Sequence, residues 1–317
     1  MPATRPGSKG AIITGWGMAL PEKVVTNHDL AQTLDTSDEW IVARTGIRER
    51  HIGGTTAGLS IESAQKALDM AGVSPDQIDA LILSTTTPDR AWGTSAVIQD
   101  KLGLKCGAFD VNAACSGFTY ALVNAHGLIA MGAERVLVIG SDTLSRIVDW
   151  DDRATAPLFA DGSGAIVLEA VEDGGGQLLG WDLDADGSAS ELLWADIGGT
   201  VNMEGKEVFR RAVRIMMDSA EKSMAHAGIT ADDLALIVPH QANIRIIQAA
   251  CERLGVEMDR AAITIDHTGN TSSASIPMAL CEALDAGRVA PGDHVLLVGF
   301  GGGMTAASAV LKWGGTQ

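Results

Sequence analysis

The chain repeats itself, and that repeat constrains its fold more than any other property of the sequence. Four short segments of the first half recur in the same order in the second. Asp79-Ala-Leu-Ile-Leu83 is echoed by Leu234-Ala-Leu-Ile-Val238. Phe109-Asp-Val-Asn-Ala-Ala-Cys115 is echoed by Thr264-Ile-Asp-His-Thr-Gly-Asn270. Arg135-Val-Leu-Val-Ile-Gly140 is echoed by His294-Val-Leu-Leu-Val-Gly299, and Ala165-Ile-Val-Leu-Glu169 by Ser308-Ala-Val-Leu-Lys312. Short aliphatic strands resemble one another, so one match carries little; four in order describe a duplicated unit. Ala80 to Ala235 and Cys115 to Asn270 both span 155 residues, Gly140 to Gly299 spans 159, and Ala165 to Ser308 only 143. The first half therefore carries extra residues near Ser141 to Asp161.

Between these segments lie helical stretches, so the pattern is α/β with largely buried sheets in two pseudo-symmetric halves, residues 1–172 and 173–317. Segment 171–210, with Gly174-Gly-Gly176 and Gly198-Gly199, reads as a loop or linker joining them. If the halves are related by a pseudo-twofold axis, Cys115 and Asn270 occupy equivalent turns that face each other.

Cys115 follows an expected strand, Ala108 to Val111, and precedes a helix from about Ser116. A thiol there points at the free N–H groups of a helix start, which favour thiolate and lower a cysteine pKa. Ala113 and Ala114 leave room for a substrate. A buried structural cysteine is the commoner role in general, but this strand–turn–helix setting favours a nucleophile.

Three other places offer chemistry. Val238-Pro-His-Gln-Ala-Asn-Ile-Arg245 puts His240 just past a strand end, where α/β sheets bind ligands; a structural histidine is the competing reading. His267-Thr-Gly-Asn270 and Thr271-Ser-Ser-Ala-Ser275 form a polar turn before a helix from Ile276. Polar turns cap helices routinely, so Asn270 gains weight only from the repeat. Gly299-Phe-Gly-Gly-Gly-Met304 exposes backbone N–H groups suited to an oxyanion. It has neither the GxxxxGK[ST] nor the GxGxxG form of a nucleotide loop. A thiol, a histidine, an asparagine and a glycine loop together suit acyl transfer through a thioester.

The formal net charge of −17 argues against nucleic acid or an anionic membrane as the main partner. The apolar runs are too short to span a bilayer. Residues 1–10 have no apolar signal region, so a cytoplasmic location with free thiols is expected. The four cysteines and seven histidines show no metal-ligand spacing, so no metal is expected.

The motifs Asn112-Ala-Ala-Cys-Ser-Gly-Phe118, Pro239-His-Gln-Ala-Asn243, His267-Thr-Gly-Asn-Thr271 and Phe300-Gly-Gly-Gly303 resemble those of β-ketoacyl-[acyl-carrier-protein] synthase III. So do Asp35-Thr-Ser-Asp-Glu-Trp-Ile41 and Arg44-Thr-Gly-Ile-Arg-Glu-Arg50. The resemblance runs from about Ala11 to Trp313 and implies a thiolase-like fold, a duplicated five-layer α/β/α/β/α sandwich. It implies a decarboxylative Claisen condensation of a short acyl-CoA, acetyl-CoA foremost, with malonyl-carrier protein, initiating fatty acid synthesis without a cofactor. Cys115 would hold the acyl group, and His240 and Asn270 would bind the malonyl thioester oxygen. The N–H groups of Cys115 and Gly302 would form the oxyanion hole, and Phe300 would shield the site.

By the same resemblance, Trp40 and Arg153 sandwich adenine, while Arg44, Asn243 and Arg245 line the phosphate and pantetheine path. Trp92 falls where relatives shape the far end of the acyl pocket, near a homodimer contact, and its bulk favours short primers. An acidic acyl carrier protein would dock on Arg210, Arg211, Arg214 and Arg245, although relatives often place lysine where this chain has Glu252.

Other chemistries fit less well. A degradative thiolase needs a second cysteine in the glycine loop, and a hydroxymethylglutaryl-type synthase needs a glutamate near Thr85-Thr-Thr87. A cysteine hydrolase would not need a malonyl-carrier substrate. A non-catalytic scaffold would have lost one of Cys115, His240 or Asn270. A related acyltransferase that does not decarboxylate malonate is the alternative the sequence leaves open.

Overall fold

The computed structural model describes residues 9–171 and 178–314. The first sheet contains β1 (Gly10–Ala19), β2 (Ala80–Ser84), β3 (Gly107–Val111), β4 (Arg135–Thr143) and β5 (Asp161–Val171), ordered β1-β5-β4-β2-β3. The second contains β6 (Leu178–Ala185), β7 (Leu234–Pro239), β8 (His294–Gly301) and β9 (Thr305–Lys312), ordered β6-β9-β8-β7.

The two orders correspond strand for strand. In each sheet the first two pairings are antiparallel and the next is parallel. The counterpart of β3 shrinks to a single parallel bridge between Ile237 and Ala261. β2 is an aliphatic run with parallel neighbours on both sides and is buried on both faces. The edge strand β1 alternates buried with partly exposed residues.

The helices complete the layers. α4 (Gly117–Ala130) and α7 (Ser275–Asp285) lie between the sheets. Phe118, Leu122, Ile276 and Leu280 share one core with Val138 of the first sheet and Leu297 of the second. α2 (Thr56–Ala71) and α3 (Thr94–Leu102) cover the outer face of the first sheet through Leu68 and Ile98. α5 (Gly205–Ala227) and α6 (Ile244–Leu254) cover the second through Met217 and Ile246. The order is α/β/α/β/α, as the thiolase-like resemblance implies. The short helix α1 (Asp38–Thr45) sits outside these layers and carries Trp40 and Arg44.

Residues 178–210, expected as part of a loop or linker, are instead structured. They contain β6, the turn Gly187–Leu192, a ribbon pairing Leu193–Trp194 with Asn202–Met203, and the start of α5. A glycine in this stretch serves packing. A Cβ at Gly180 would lie 2.1 Å from Ser223 O on α5, so this glycine lets helix and strand meet. Gly15 on β1 does the same, with a Cβ position 2.2 Å from Ala67 O on α2. Gly174-Gly-Gly176 and the expected boundary at 172/173 lie outside the described residues.

The repeat register also shifts. Ala114 and Ser272 both adopt left-handed backbone, φ 48° and 52°. Each opens a 3-10 turn, Ala114–Ser116 or Ser272–Ala274, that runs into the central helix of its half. The counterpart of Cys115 is therefore Ser273, three residues beyond Asn270. The cause is local: the short helix Ile265–Thr268 lies between the bridge at Ala261 and the turn, where the first half passes directly from β3 to its turn.

Between β4 and β5 the first half makes the excursion 144–160, whereas β8 and β9 are joined by residues 302–304 alone. That excursion becomes one wall of the site.

Candidate active site

Cys115 sits at the C-terminal end of β3, in the turn before α4, and is 8% exposed. The glycine loop reaches it from the other half. A Cβ at Gly301 would lie 2.5 Å from Cys115 N and 2.7 Å from Ala114 Cβ, so only glycine fits there without displacement. Ser272 Oγ donates to Cys115 Sγ at 3.3 Å.

The thiol is not lowered from its ordinary value as its place before a helix leads one to expect. Burial pushes it up to about 12, against the lowering effect of the Ser272 hydrogen bond, and the nearby Asp142 charge adds to the rise. Desolvation disfavours the thiolate because it is the charged form.

His240 follows β7 and is buried; burial alone pushes its imidazole down to about 3, so it is neutral near pH 7. Its Nδ1 lies 2.6 Å from Ser275 Oγ, which also accepts from Gln241 N at 3.3 Å. Phe300 packs edge-on against the imidazole, centroids 5.5 Å apart. Gly299 lies between the two reactive groups: its Cβ position is 3.3 Å from His240 Cβ and 3.7 Å from Cys115 O.

Asn270 is held by the first half's excursion. Its N–H donates to Leu158 O and its carbonyl accepts from Ala160 N, both at 2.9 Å. Its Oδ1 accepts from Ser272 N at 3.0 Å. That leaves the amide Nδ2 as the donor available to the cavity, which Asn270 lines.

Cys115, His240, Asn270 and Phe300 share one cavity of about 600 Å³. Its apolar throat includes Leu158, Phe159, Leu193, Met203 and Phe209, and its outer part Trp40, Arg44, Lys206, Asn243 and Arg245. Arg153 lies 4.4 Å and Arg44 5.4 Å from the Trp40 ring centroid. Asn243 donates to Arg44 O at 2.9 Å, joining α1 to the start of α6, and caps α6 by accepting from Arg245 N. An acyl chain on a long flexible tether, with a charged and aromatic distal end, fits this shape. Among the described residues no group of three or more His, Cys, Asp or Glu could hold a metal ion, and no helix is long and apolar enough to cross a membrane.

Two family models match the chain: 3-oxoacyl-[acyl-carrier-protein] synthase III over residues 109–187, and the C-terminal part of the same enzyme over 224–313. The β-ketoacyl-[acyl-carrier-protein] synthase III 1 of Bacillus anthracis is 49% identical over 95% of this chain and 98% of its own length. The synthase III of Xanthomonas campestris is 48% identical over the same shares. The chain belongs to the β-ketoacyl-[acyl-carrier-protein] synthase III family. The crystal structure of the Aquifex aeolicus synthase III superposes with a TM-score of 0.94 at 44% identity, covering 96% of this chain and all of that one. As a synthase III, the chain is an enzyme of the acyl-transferring, condensing type.

Several expected site residues of this synthase III stand elsewhere. Trp92 is 89% exposed and does not line the cavity. The preceding Thr85–Thr87 is pinned to Asp142, and Asp89 is paired with Arg146, so the loop points Trp92 outward. Arg153 stacks on Trp40 directly, filling the place expected for adenine. Arg210 and Arg211 are engaged by Glu207, and Arg211 also by Asp186, which weakens the expected basic patch. Among the described residues no ion pair involves Arg214 or Arg245, and both are exposed. Gly302 is half-buried and does not line the cavity; its Cβ position lies 2.7 Å from Leu193 O.

Ser272 and Ser275, which the sequence suggested only as helix-capping residues, make the direct contacts to Cys115 and His240. A Thr-Ser-Ser-Ala-Ser run beside a candidate asparagine was the one available signal.

Proposed function

We propose that this synthase III condenses a short acyl-CoA, acetyl-CoA foremost, with malonyl-[acyl-carrier protein] through an acyl-Cys115 intermediate. The observation that carries the reading is the single cavity whose floor holds Cys115, His240 and Asn270 and whose mouth holds Trp40, Arg44 and Arg245.

The thiol of Cys115 gives up its proton as its sulfur attacks the thioester carbonyl. His240, whose Nε2 carries its hydrogen toward the cavity, does not take that proton, which passes to the departing CoA sulfur. The carbonyl oxygen becomes an oxyanion held by the N–H group of Cys115, such a donor being worth roughly 3–4 kcal/mol; Gly302, which does not line the cavity, would have to turn its N–H inward to join it. The C–S bond to CoA breaks, and CoA leaves as the thiol after taking up the proton. Adenine would enter by separating Arg153 from Trp40, trading one stacking partner for another.

Malonyl thioester then binds. Ser275 Oγ accepts from Gln241 N, so its own proton can go to His240 Nδ1, which leaves His240 Nε2 carrying a hydrogen toward the cavity. Nε2–H and the Asn270 amide bond the thioester oxygen. The bond to the carboxylate breaks, CO2 leaves, and its electron pair forms the enolate. The enolate carbon attacks the acyl-cysteine carbonyl, the C–S bond breaks, and the departing sulfur takes a proton from solvent once product leaves. Phe300 keeps water from the enolate.

A second copy of the chain fits the outer edge of β3, which has no partner strand among the described residues and leaves Phe109 41% exposed. Of the four arginines expected to dock an acidic carrier, Arg214 and Arg245 make no ion pair among the described residues.

Mass spectrometry after mixing with acetyl-CoA and malonyl-carrier protein tests the reading. Acetyl-Cys115 followed by acetoacetyl-carrier protein is expected. Acetyl-Cys115 without that product would favour an acyltransferase, and no acetyl-Cys115 would remove the nucleophile.

A further inference from the structure

We propose that Asp142 is a positioning residue for the condensing step: its carboxylate fixes the turn that presents Asn270 and Ser272 to Cys115, and so joins the two halves at the reaction centre. The proposal rests on the roles given above to Cys115 and Asn270.

Asp142 lies on β4, fully buried, with no cationic partner among the described residues. Its Oδ1 accepts from Thr86 N at 2.7 Å and Thr87 N at 3.0 Å, and from the hydroxyls of Thr85, Thr86 and Thr87 at 2.8–3.1 Å. Its Oδ2 accepts from Ser273 N at 3.0 Å and Ser273 Oγ at 2.7 Å. A buried carboxylate with no cation is costly and persists only when donors surround it. Every donor here is neutral, and those on Oδ2 come from the other half of the chain.

Ser273 directly follows the residue that makes the two contacts that matter. Ser272, one residue earlier, donates to Cys115 Sγ at 3.3 Å and its N–H orients Asn270 Oδ1 at 3.0 Å. Gly140 on β4 admits the turn, since a Cβ there would lie 2.3 Å from Ser273 O. Ser273 is also the structural counterpart of Cys115 in the second half. The turn that mirrors the nucleophile has thus become its support, and Asp142 is the anchor. The titratable groups around Cys115 are Asp142, whose charge opposes ionisation of the thiol, and His240 across Gly299.

The test compares Asp142→Asn and Ser273→Ala with the wild type in both half-reactions, alongside the pH dependence of Cys115 alkylation by iodoacetamide. Asp142→Asn should slow condensation about a hundredfold and acyl transfer to Cys115 less than about tenfold. Its alkylation profile should move to lower pH as the opposing charge is removed. Should Asp142→Asn fail to fold, Ser273→Ala decides, because it keeps the charge and the backbone donor. It should slow condensation about tenfold with KM for acyl-CoA unchanged. Equal loss in both half-reactions, or an unmoved alkylation profile in folded Asp142→Asn, overturns the proposal. An inactive wild type would instead remove the reading of the site itself.

Discussion

His240 Nδ1 lies 2.6 Å from Ser275 Oγ, and the same hydroxyl accepts from the backbone N–H of Gln241. The serine therefore sets which imidazole nitrogen faces the cavity. Ser275→Ala removes that control and leaves Gln241 N without this acceptor. Condensation in single-turnover assays should fall about tenfold to a hundredfold, while the protein remains folded by circular dichroism. An unchanged rate would show that the tautomer is set elsewhere.

Ser272 donates to the Cys115 sulfur and favours its ionised form, against burial that pushes the thiol up to about 12. Ser272→Ala should raise the thiol further. Iodoacetamide alkylation of the acyl-free enzyme at pH 8 should slow several-fold relative to wild type. Faster alkylation would mean that the hydroxyl stabilises the thiol instead.

Gly301 has no space for a side chain: its Cβ position is 2.5 Å from Cys115 N. Gly301→Ala must displace the nucleophile's turn or the strand end. Acyl transfer should fall at least about a hundredfold, with a stability loss of about 1–3 kcal/mol. Acyl-enzyme formed at the wild-type rate would contradict the contact.

How far these features could be read in advance depends on their range. The strands β2, β4 and β8 announce themselves as buried aliphatic runs, and Cys115 by the small residues of its turn; both signals are local. β6 is hidden in a segment whose Gly174-Gly-Gly176 and Gly198-Gly199 read as loop, and the purpose of its own Gly180 lies in Ser223 on a helix more than forty residues away. Asn270 was found for a partly wrong reason, since its match to Cys115 is three residues out of register. The roles of Ser272, Ser275 and Asp142 were illegible because a serine or a buried carboxylate is defined by what a distant segment brings to it. The same holds for the thiol: a helix start is visible in sequence, but the burial that raises the thiol is not.

The histidines make stability pH-dependent in both directions. Burial pushes His240 down to about 3 and His126 down to about 4. Both are neutral in the folded chain, while the unfolded chain takes up protons near 6.5, so stability should fall as pH drops from about 6.5 toward 3–4. His267 behaves oppositely. Its hydrogen bond to Glu282, with Asp266 on the other nitrogen, raises it to about 9. That contribution is fully present below about 6.5 and is lost as pH rises through about 9. Thermal melts should therefore show a maximum near neutral pH. His267→Gln should flatten the alkaline side between about pH 6.5 and 9 and leave the acid side unchanged. A variant that instead altered the acid limb would show that His267 is not the group responsible.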